Sequence, residues 1–506
     1  RRTDPLEPLN QWYDRIVHSC ARHIIKGLGP QLDHFLRELR KVKNHELVDA
    51  LNVAMMALMF SAQGRNLLHH QPIKSCVEYF EDFQQFLRTA LETKLYQKWI
   101  TSPPPKSSHL AHDLLDFVHA ICRLVHVNVF GWEEMLPVIE NLLKDGRQIL
   151  FKEQAEPVEK PAHIWSRLAG DYLALTKLLK HHPNGPLLKV IQALESGSLN
   201  AFNPFHQQNI PQQLFDLFVD DQRISLIRIA APVYQQVIQT ALIGEEFKGF
   251  LRSYGTFTPP KRHLIINLQN RTSWLEYARC MALEQLQDQA DFADELSVVT
   301  LAVNTDFYSQ LAPYHQVNQA DCFQEQFLEH LQGDHSGFYF PSSVSKKALG
   351  SFTEGAFASI HRVFFADSIE LTRESRLNFI EIFYLFLQLK LLEWIEPQSF
   401  SLMCKDGIDV GAAHAGLLFI FLKLVSDQEW VERDWGFLNL MLHAPALLLR
   451  ERALLPEPYH RMLSALKLIE QVREEAGAEK FTALIQEGFG ALYETPILQP
   501  QLLINL

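Results

Sequence analysis

The chain has 506 residues, of which 47% are hydrophobic and 21% are charged, and its formal net charge is −12 with an isoelectric point near 6.0. A chain of this length can bury a substantial core, and we expect two or three globular domains. The acidic balance argues against general nucleic-acid binding and against broad electrostatic adhesion to anionic membranes, but it is compatible with a local basic pocket.

The cysteines are few and widely spaced. No C-x-x-C pair occurs, which argues against a disulfide framework and against a zinc cluster. We therefore expect free thiols, a cytoplasmic or other reducing compartment, and no bound metal or other cofactor. The six positions are Cys20, Cys76, Cys122, Cys280, Cys322 and Cys404.

The first residue of the chain and its hydropathy bear on targeting and on membrane insertion. The chain begins at Arg1 rather than at a methionine, so we expect a processed or truncated chain in which a targeting segment would not be visible. No apolar run reaches the roughly 18 residues that a membrane-spanning helix needs. The sequence therefore predicts no transmembrane segment.

Residues 1–254 are predicted to form a helical region, either a bundle or an irregular array. Apolar residues recur with the period of a helix, as at Leu47, Leu51 and Leu58, and Gly and Pro mark the breaks. No repeat of fixed period is visible. The predicted helices cover about 9–26, 31–41, 45–62, 73–98, 108–126, 132–151, 162–181, 185–195 and 222–251.

The sequence pattern changes near residue 255, where a segment rich in Pro and basic residues is typical of a linker. Strands alternate with helices from here to about residue 430, which predicts an α/β or α+β domain with a mostly parallel central sheet. Residues 431–506 are predicted to be helices that pack on this domain. The predicted buried strands are 263–268, 296–303 and 399–403, and 337–341 is a short strand or a loop. The predicted helices are about 273–290, 321–332, 351–364, 373–395, 411–426, 434–453, 457–475 and 478–493.

The third strand leads directly into the segment C-K-D-G-I-D-V-G at residues 404–411. A tight loop between a strand and a helix presents backbone N–H groups and the positive end of the helix dipole to an anion. A cysteine in such a loop can attack phosphorus as a thiolate. Ligands of parallel sheets bind outside the carboxyl ends of the strands, which is where Cys404 is predicted to lie.

This segment resembles the signature loop of the cysteine-dependent phosphatases, in particular the C-x-D-x-x-D-R-T motif of myotubularins and Sac-type phosphoinositide phosphatases. Cys404, Asp406, Gly407 and Asp409 match that motif. The resemblance implies a phosphatase-like domain in which Cys404 is the nucleophile and Asp409 protonates the leaving oxygen, while Lys405 binds a second phosphate. Alternatively, either Asp hydrogen-bonds the backbone of a tight turn, and Lys405 is a solvated side chain.

The segment departs from the motif at its end, because Val410 replaces the Arg and Gly411 replaces the Thr. The Arg would clamp two phosphate oxygens, and losing such a donor costs about 10²–10³ in rate. Another basic residue could take its place, or Arg271 could simply form a surface salt bridge. The candidates are Arg262, Arg271, Arg279 and Arg362. The predicted phosphate-binding set is Lys405, Asp406, Gly407, Ile408, Val410, Gly411 and Arg271.

These observations favour a pseudophosphatase. It would bind a phosphorylated lipid, an inositol phosphate or a phosphoprotein, and a protein partner through the helical region, but no nucleic acid. One alternative is an active cysteine-dependent phosphoinositide or protein phosphatase with a substitute cation. Another is a helical scaffold with a coincidental motif, which would lack a parallel sheet behind Cys404. A secreted bacterial effector is also compatible with this combination of helical and phosphatase-like parts.

Overall fold

The computed structural model describes residues 7–128, 131–154, 162–181 and 209–506. These residues form three layers, in which a six-stranded sheet lies between mostly N-terminal helices and mostly C-terminal helices. Within the described ranges, no helix combines the length and the apolarity needed to cross a membrane.

The helices predicted between residues 9 and 181 are present, with one split. Thr93 caps a new helix by accepting a hydrogen bond from the Tyr96 backbone N–H, so the helix predicted over 73–98 becomes two. The helix predicted over 185–195 lies outside the described residues. The observed helices are α1 (Glu7–Leu28), α2 (Pro30–Arg37), α3 (Glu46–Ser61), α4 (Cys76–Glu92), α5 (Lys94–Thr101), α6 (His109–His126), α7 (Leu136–Gln154) and α8 (Ile164–Lys180).

The helix predicted over 222–251 is wrong, because strands fill most of this segment. β1 (Gln212–Val219) and β2 (Gln222–Arg228) form a hairpin around a two-residue turn. Asp220, the first residue of that turn, has the left-handed φ of 50° that tight hairpins require. An Asp-Asp pair between two runs rich in β-branched and aromatic residues was the signal for this hairpin.

A second hairpin follows, formed by β3 (Val233–Val237) and β4 (Thr240–Ile243). Pro232 lies between β2 and β3, where it lacks the N–H that a continuous helix would need. Helix α9 (Glu245–Gly255) begins only after this hairpin.

The remaining elements follow the predicted alternation of strands and helices, with one strand added. The predicted strands at 263–268, 296–303 and 399–403 are confirmed, whereas 337–341 contributes only an isolated bridge between Thr300 and Tyr339. The elements are β5 (His263–Asn267), α10 (Tyr277–Leu286), β6 (Leu296–Thr300), α11 (Ala320–Gln332), α12 (Lys346–Phe365), α13 (Arg373–Ile395), β7 (Ser399–Met403), α14 (Val410–Val425), α15 (Glu432–Arg450), α16 (Pro456–Ala476), α17 (Ala478–Phe489) and the unpredicted β8 (Gln501–Ile504).

The sheet has the strand order β6-β5-β7-β2-β1-β8. The neighbours among β6, β5, β7 and β2 pair in parallel, whereas β1 pairs with β2 and with β8 in antiparallel fashion. The chain is therefore a mixed α/β protein with a mostly parallel sheet, as predicted. The division at residues 254 and 430 stays a prediction, and the sheet draws β1 and β2 from the segment before residue 255.

Successive strand residues point to opposite faces of the sheet and enter two different cores. Leu264 and Ile266 join the C-terminal core, which is built mainly with α11 to α17. Ile265 and Met403 join the N-terminal core, which is built mainly with α1 to α9. Because both faces are buried, the parallel strands consist of continuous runs of buried residues.

Helix α8 connects the two helical layers. The backbone N–H groups of Ile164 and Trp165, in its first turn, each donate a 2.8 Å hydrogen bond to the carboxylate of Glu470 in α16. Further along α8, the Tyr172 hydroxyl donates to the carbonyl of Leu454, which precedes α16. The carboxylate satisfies N–H groups that a helix start leaves unpaired, and it complements the positive end of the helix dipole.

Helices α7 and α8 cross closely at Gly146. A Cβ placed on Gly146 would lie 2.2 Å from the carbonyl oxygen of Ala174, whereas one placed on Gly170 of α8 would meet no atom within 4 Å. We expect Gly146→Ala to lower the free energy of unfolding by about 1–3 kcal/mol. Gly170→Ala should instead raise it by up to about 1 kcal/mol, since Ala is the better helix former. Denaturant unfolding of both variants tests this, and equal effects would contradict the close crossing.

His443 provides a test of burial through pH. The ring is fully buried in α15, and neither ring nitrogen has a hydrogen-bond partner among the described residues. Burial lowers the pKa of His443 to about 4. In the unfolded chain, the His443 ring binds a proton near the ordinary histidine pKa of about 6.5. The folded state therefore loses stability as the pH falls from about 6.5 towards 4.

We therefore expect the His443→Leu variant to lose less stability than the wild type between about pH 7 and about pH 5. The difference should approach about 2 kcal/mol, which is the linkage contribution of one buried neutral histidine over that interval. Denaturant unfolding at both pH values measures it. An identical loss of stability in the two proteins would show that His443 titrates normally in the folded state.

Candidate functional site

The predicted phosphate loop lies at the carboxyl edge of the parallel sheet. We call residues 404–411 the signature loop. Cys404 directly follows β7, whose last residue, Met403, is paired with Asn267 of β5. The Leu268 N–H donates a 2.7 Å hydrogen bond to the Met403 carbonyl, so the chain beyond β5 passes beside the start of the loop. A parallel sheet thus stands behind Cys404, and the chain is not a purely helical scaffold.

One side of the signature loop is held by the segments that flank β1 and β2. The Ala231 N–H donates to the carbonyl oxygens of Cys404 and Lys405, at 3.3 and 3.1 Å. The Asn209 side-chain amide donates to the Asp406 carbonyl at 2.9 Å. Asn209 is in turn oriented by the buried Arg228, whose Nη1 donates to the Asn209 side-chain oxygen at 2.8 Å. These contacts fix the backbone of the loop.

Two glycines allow the loop to fold this tightly. Gly407 has a φ of +68°, in the left-handed region, and a Cβ there would lie 3.2 Å from the Ile229 carbonyl oxygen. A Cβ on Gly411 would lie only 2.8 Å from the Leu402 carbonyl oxygen and 3.3 Å from the Cys404 sulfur. The Thr that the phosphatase motif carries at this position does not fit the observed loop. Gly411 is therefore a second structural departure from the motif, beside Val410.

The other side of the loop is covered by the connection between α15 and α16. Arg452 binds Asp409 with two hydrogen bonds, of 2.9 Å to Oδ1 and 2.8 Å to Oδ2, and the Leu455 N–H donates to Oδ1 at 2.8 Å. Arg450 donates to Oδ2 of Asp406 at 2.8 Å. Both oxygens of Asp409 are thus occupied by donors, whereas an acid that protonates a leaving group must carry a proton on one of them.

The Cys404 thiol is half-buried and held in its neutral form. Burial raises its pKa to about 12, with a further increase from the negative charges of Asp406 and Asp409. The N–H groups of Gly411 and Gly407 bond to the sulfur and oppose this increase without reversing it. The protonated thiol donates to the Ile408 carbonyl at 2.8 Å. A nucleophilic cysteine needs the opposite environment, in which a positive charge lowers the pKa.

Val410 places no polar group at the position of the missing Arg. Its side chain is partly buried and packs against the C-terminal core at the start of α14. Of the four candidate substitutes, Arg262 lies at the amino end of β5 and Arg362 is exposed at the end of α12. Arg271 forms an ion pair at 2.9 Å with the buried Glu284, so it is engaged in a salt bridge, but not in one at the surface.

Arg279 is the candidate whose charge reaches the loop. Its guanidinium group pairs with Glu276 and interacts electrostatically with Asp406. Burial lowers the pKa of Lys405, and Arg279 and Arg450 lower it further against the opposing effect of Asp406. Lys405 thus lies near two arginines, but each of them is already paired with a carboxylate, Arg279 with Glu276 and Arg450 with Asp406.

Sequence analysis missed three residues that shape this site, namely Arg228, Arg450 and Arg452. Arg450 and Arg452 lie at a helix end about 45 positions after the loop, and no motif marks them. The segment containing Arg228 was assigned to a helix, so its position beside β7 could not be seen. Placing Arg228 next to the loop from sequence would have required the prediction that β2 pairs in parallel with β7.

Among the described residues, no group of three or more His, Cys, Asp or Glu side chains is arranged to hold a metal ion. Comparison with known proteins adds no relative, since no family model, no curated protein and no solved structure matches this chain. The signature loop and its surroundings therefore carry the functional argument.

Thiol labelling tests the protonation state of Cys404. With a pKa of about 12, only about one Cys404 thiol in 10⁵ is ionised at pH 7. We expect iodoacetamide to modify the exposed Cys322 of the native protein and to leave Cys404 largely unmodified, as read by peptide mass spectrometry. Labelling after unfolding is the control that the Cys404 peptide is detected. Modification of Cys404 ahead of Cys322 would reveal an activated thiolate.

Proposed function

We propose that this protein is a pseudophosphatase, in which a phosphatase-like signature loop binds a phosphorylated ligand without hydrolysing it. The ligand is a phosphorylated lipid, an inositol phosphate or a phosphoprotein, and the N-terminal helical region offers a surface for a protein partner. The observation that carries the proposal is the neutral Cys404 thiol, whose pKa is raised to about 12 and which donates to the Ile408 carbonyl.

Two further features support binding without turnover. The arginines beside the loop bind its own carboxylates, since Arg452 pairs with Asp409 and Arg450 with Asp406. They are therefore not placed to clamp the oxygens of a transferring phosphoryl group. Lys405, together with the N-terminus of α14, still provides positive potential for an anion.

The alternative is an active cysteine-dependent phosphatase in which Arg228 replaces the missing Arg. Burial lowers the pKa of Arg228 to about 10. The negative charge that Cys404 would carry as a thiolate raises this pKa more than any other neighbour does, so the two groups lie close together. The Arg228 Nε has no hydrogen-bond partner among the described residues. An enzyme of this kind would lose turnover in both Cys404→Ser and Arg228→Gln.

Phosphate release and ligand binding should be measured on one panel of phosphoinositides, soluble inositol phosphates and a phosphotyrosine peptide. We expect the wild type to release no phosphate but to bind at least one ligand of the panel. The Cys404→Ser variant should bind the same ligand equally well. Lys405→Gln should weaken that binding about tenfold, because it removes one charged contact to phosphate. Thermal unfolding of each variant controls for folding.

The same panel separates the alternatives. Wild-type release that is abolished by Cys404→Ser would overturn the pseudophosphatase proposal, and its loss in Arg228→Gln would identify the substitute cation. Val410→Arg, alone and with Arg450→Gln, tests whether the clamp can be rebuilt. Failure of every ligand to bind the wild type would remove phosphate recognition altogether.

A further inference from the structure

Two turns near the signature loop carry exposed apolar side chains. The turn before α10 carries Trp274 and Leu275, and Tyr277 follows at the start of α10; their side chains are 69%, 50% and 52% exposed. The β3–β4 hairpin exposes Val237 and Ile238 at its tip. We call these five residues the apolar rim.

Arg279 and Gln235 join the two turns of the apolar rim. The Arg279 guanidinium donates to the Leu275 carbonyl at 3.1 Å and to the Gln235 side chain at 2.8 Å. Gln235 donates in turn to the Ile238 carbonyl at 2.7 Å. Helix α10 also packs against β4. The two turns are therefore held side by side through buried polar groups, so the apolar rim is a fixed surface feature.

The rim differs in charge from the rest of the chain. Residues 229–244, which include the whole β3–β4 hairpin, contain no Asp, Glu, Lys, Arg or His, although the protein has a net charge of −12. Glu276, which lies between Leu275 and Tyr277, is paired with the buried Arg279. Lys405 of the signature loop lies within the electrostatic reach of both Glu276 and Arg279. An acidic protein is repelled by an anionic surface, so an edge whose hairpin is uncharged and whose one carboxylate, Glu276, is ion-paired is a face that can approach a bilayer.

We propose that the apolar rim inserts into the interface of a phospholipid bilayer. Trp and Tyr favour the boundary between water and lipid, because one end of each ring is apolar and the other forms hydrogen bonds. The rim residues lie on two surface turns, and their exposed apolar side chains can enter the headgroup region while the fold behind them stays intact. This activity is separate from phosphate binding, and it does not depend on the proposed function of the signature loop.

Vesicle flotation tests the insertion, with vesicles of phosphatidylcholine alone and vesicles that also contain phosphatidylserine. We expect the wild type to float with both, with little weakening as the salt concentration rises, because apolar insertion is not screened. The double variant Trp274→Ala/Leu275→Ala should reduce the vesicle-bound fraction by about tenfold or more. Trp274→Phe/Leu275→Met, which keeps the apolar surface, should restore most of the binding.

The matched control is Val53→Ala/Met56→Ala, which removes exposed apolar surface from α3 and should leave flotation unchanged. Thermal unfolding confirms that every variant is folded. Binding only to the anionic vesicles, with loss at high salt, would overturn insertion in favour of electrostatic adhesion. Self-association that depends on the rim, seen by light scattering without flotation, would show instead that the rim contacts a second copy of the chain. A wild type that neither floats with vesicles nor self-associates would likewise overturn the proposal.

Discussion

Burial of the parallel strands on both faces is the constraint on which the rest of the structure depends. β5, β6 and β7 are buried along their whole length, so helices must cover each face and polar chemistry is confined to the strand ends. Some of the polar groups inside the sheet form a short hydrogen-bonded chain. His263 bonds to the hydroxyls of Ser399 and Ser401, and Tyr254 completes the chain through Ser399.

The signature loop connects a strand to a helix, and charges of both signs, including that of the buried Arg228, lie close to its sulfur. In a catalytic loop, positive charge surrounds the sulfur and substrate oxygens. Here two carboxylates of the loop face the sulfur, and the arginines that neutralise them come from the α15–α16 connection. The bidentate pair of Arg452 with Asp409 has geometry that Lys could not reproduce. The signature loop and the α15–α16 connection therefore form one unit, and a change to either alters the electrostatic potential at Cys404.

Sequence patterns predicted the parts of this fold that local chemistry determines. The buried strands and the position of Cys404 after β7 follow from continuous apolar runs and from small residues at the helix start. The β1–β2 and β3–β4 hairpins were missed because a short, mostly apolar segment such as 224–230 fits a helix and a strand equally well. The order of strands brings Arg228 beside Cys404, and the return of the chain brings Arg452 to Asp409. Both depend on tertiary packing, which a single sequence does not encode at any one position.

The hydrogen bonds from α8 to Glu470 have a consequence for the order in which the chain is built. Ile164 and Trp165 find their carboxylate partner roughly 300 residues later in the sequence. Contacts with such a wide separation form late, because the entropy of closing a long loop must be overcome first. During synthesis from the N-terminus, α8 can pack on α7 early, but Glu470 reaches its first turn only after α16 has left the ribosome, and Asp409 gains its guanidinium partner only once Arg452 has emerged. The cover of the signature loop is thus assembled only in the closing stage of folding, and a nascent chain passes through states in which this site is open.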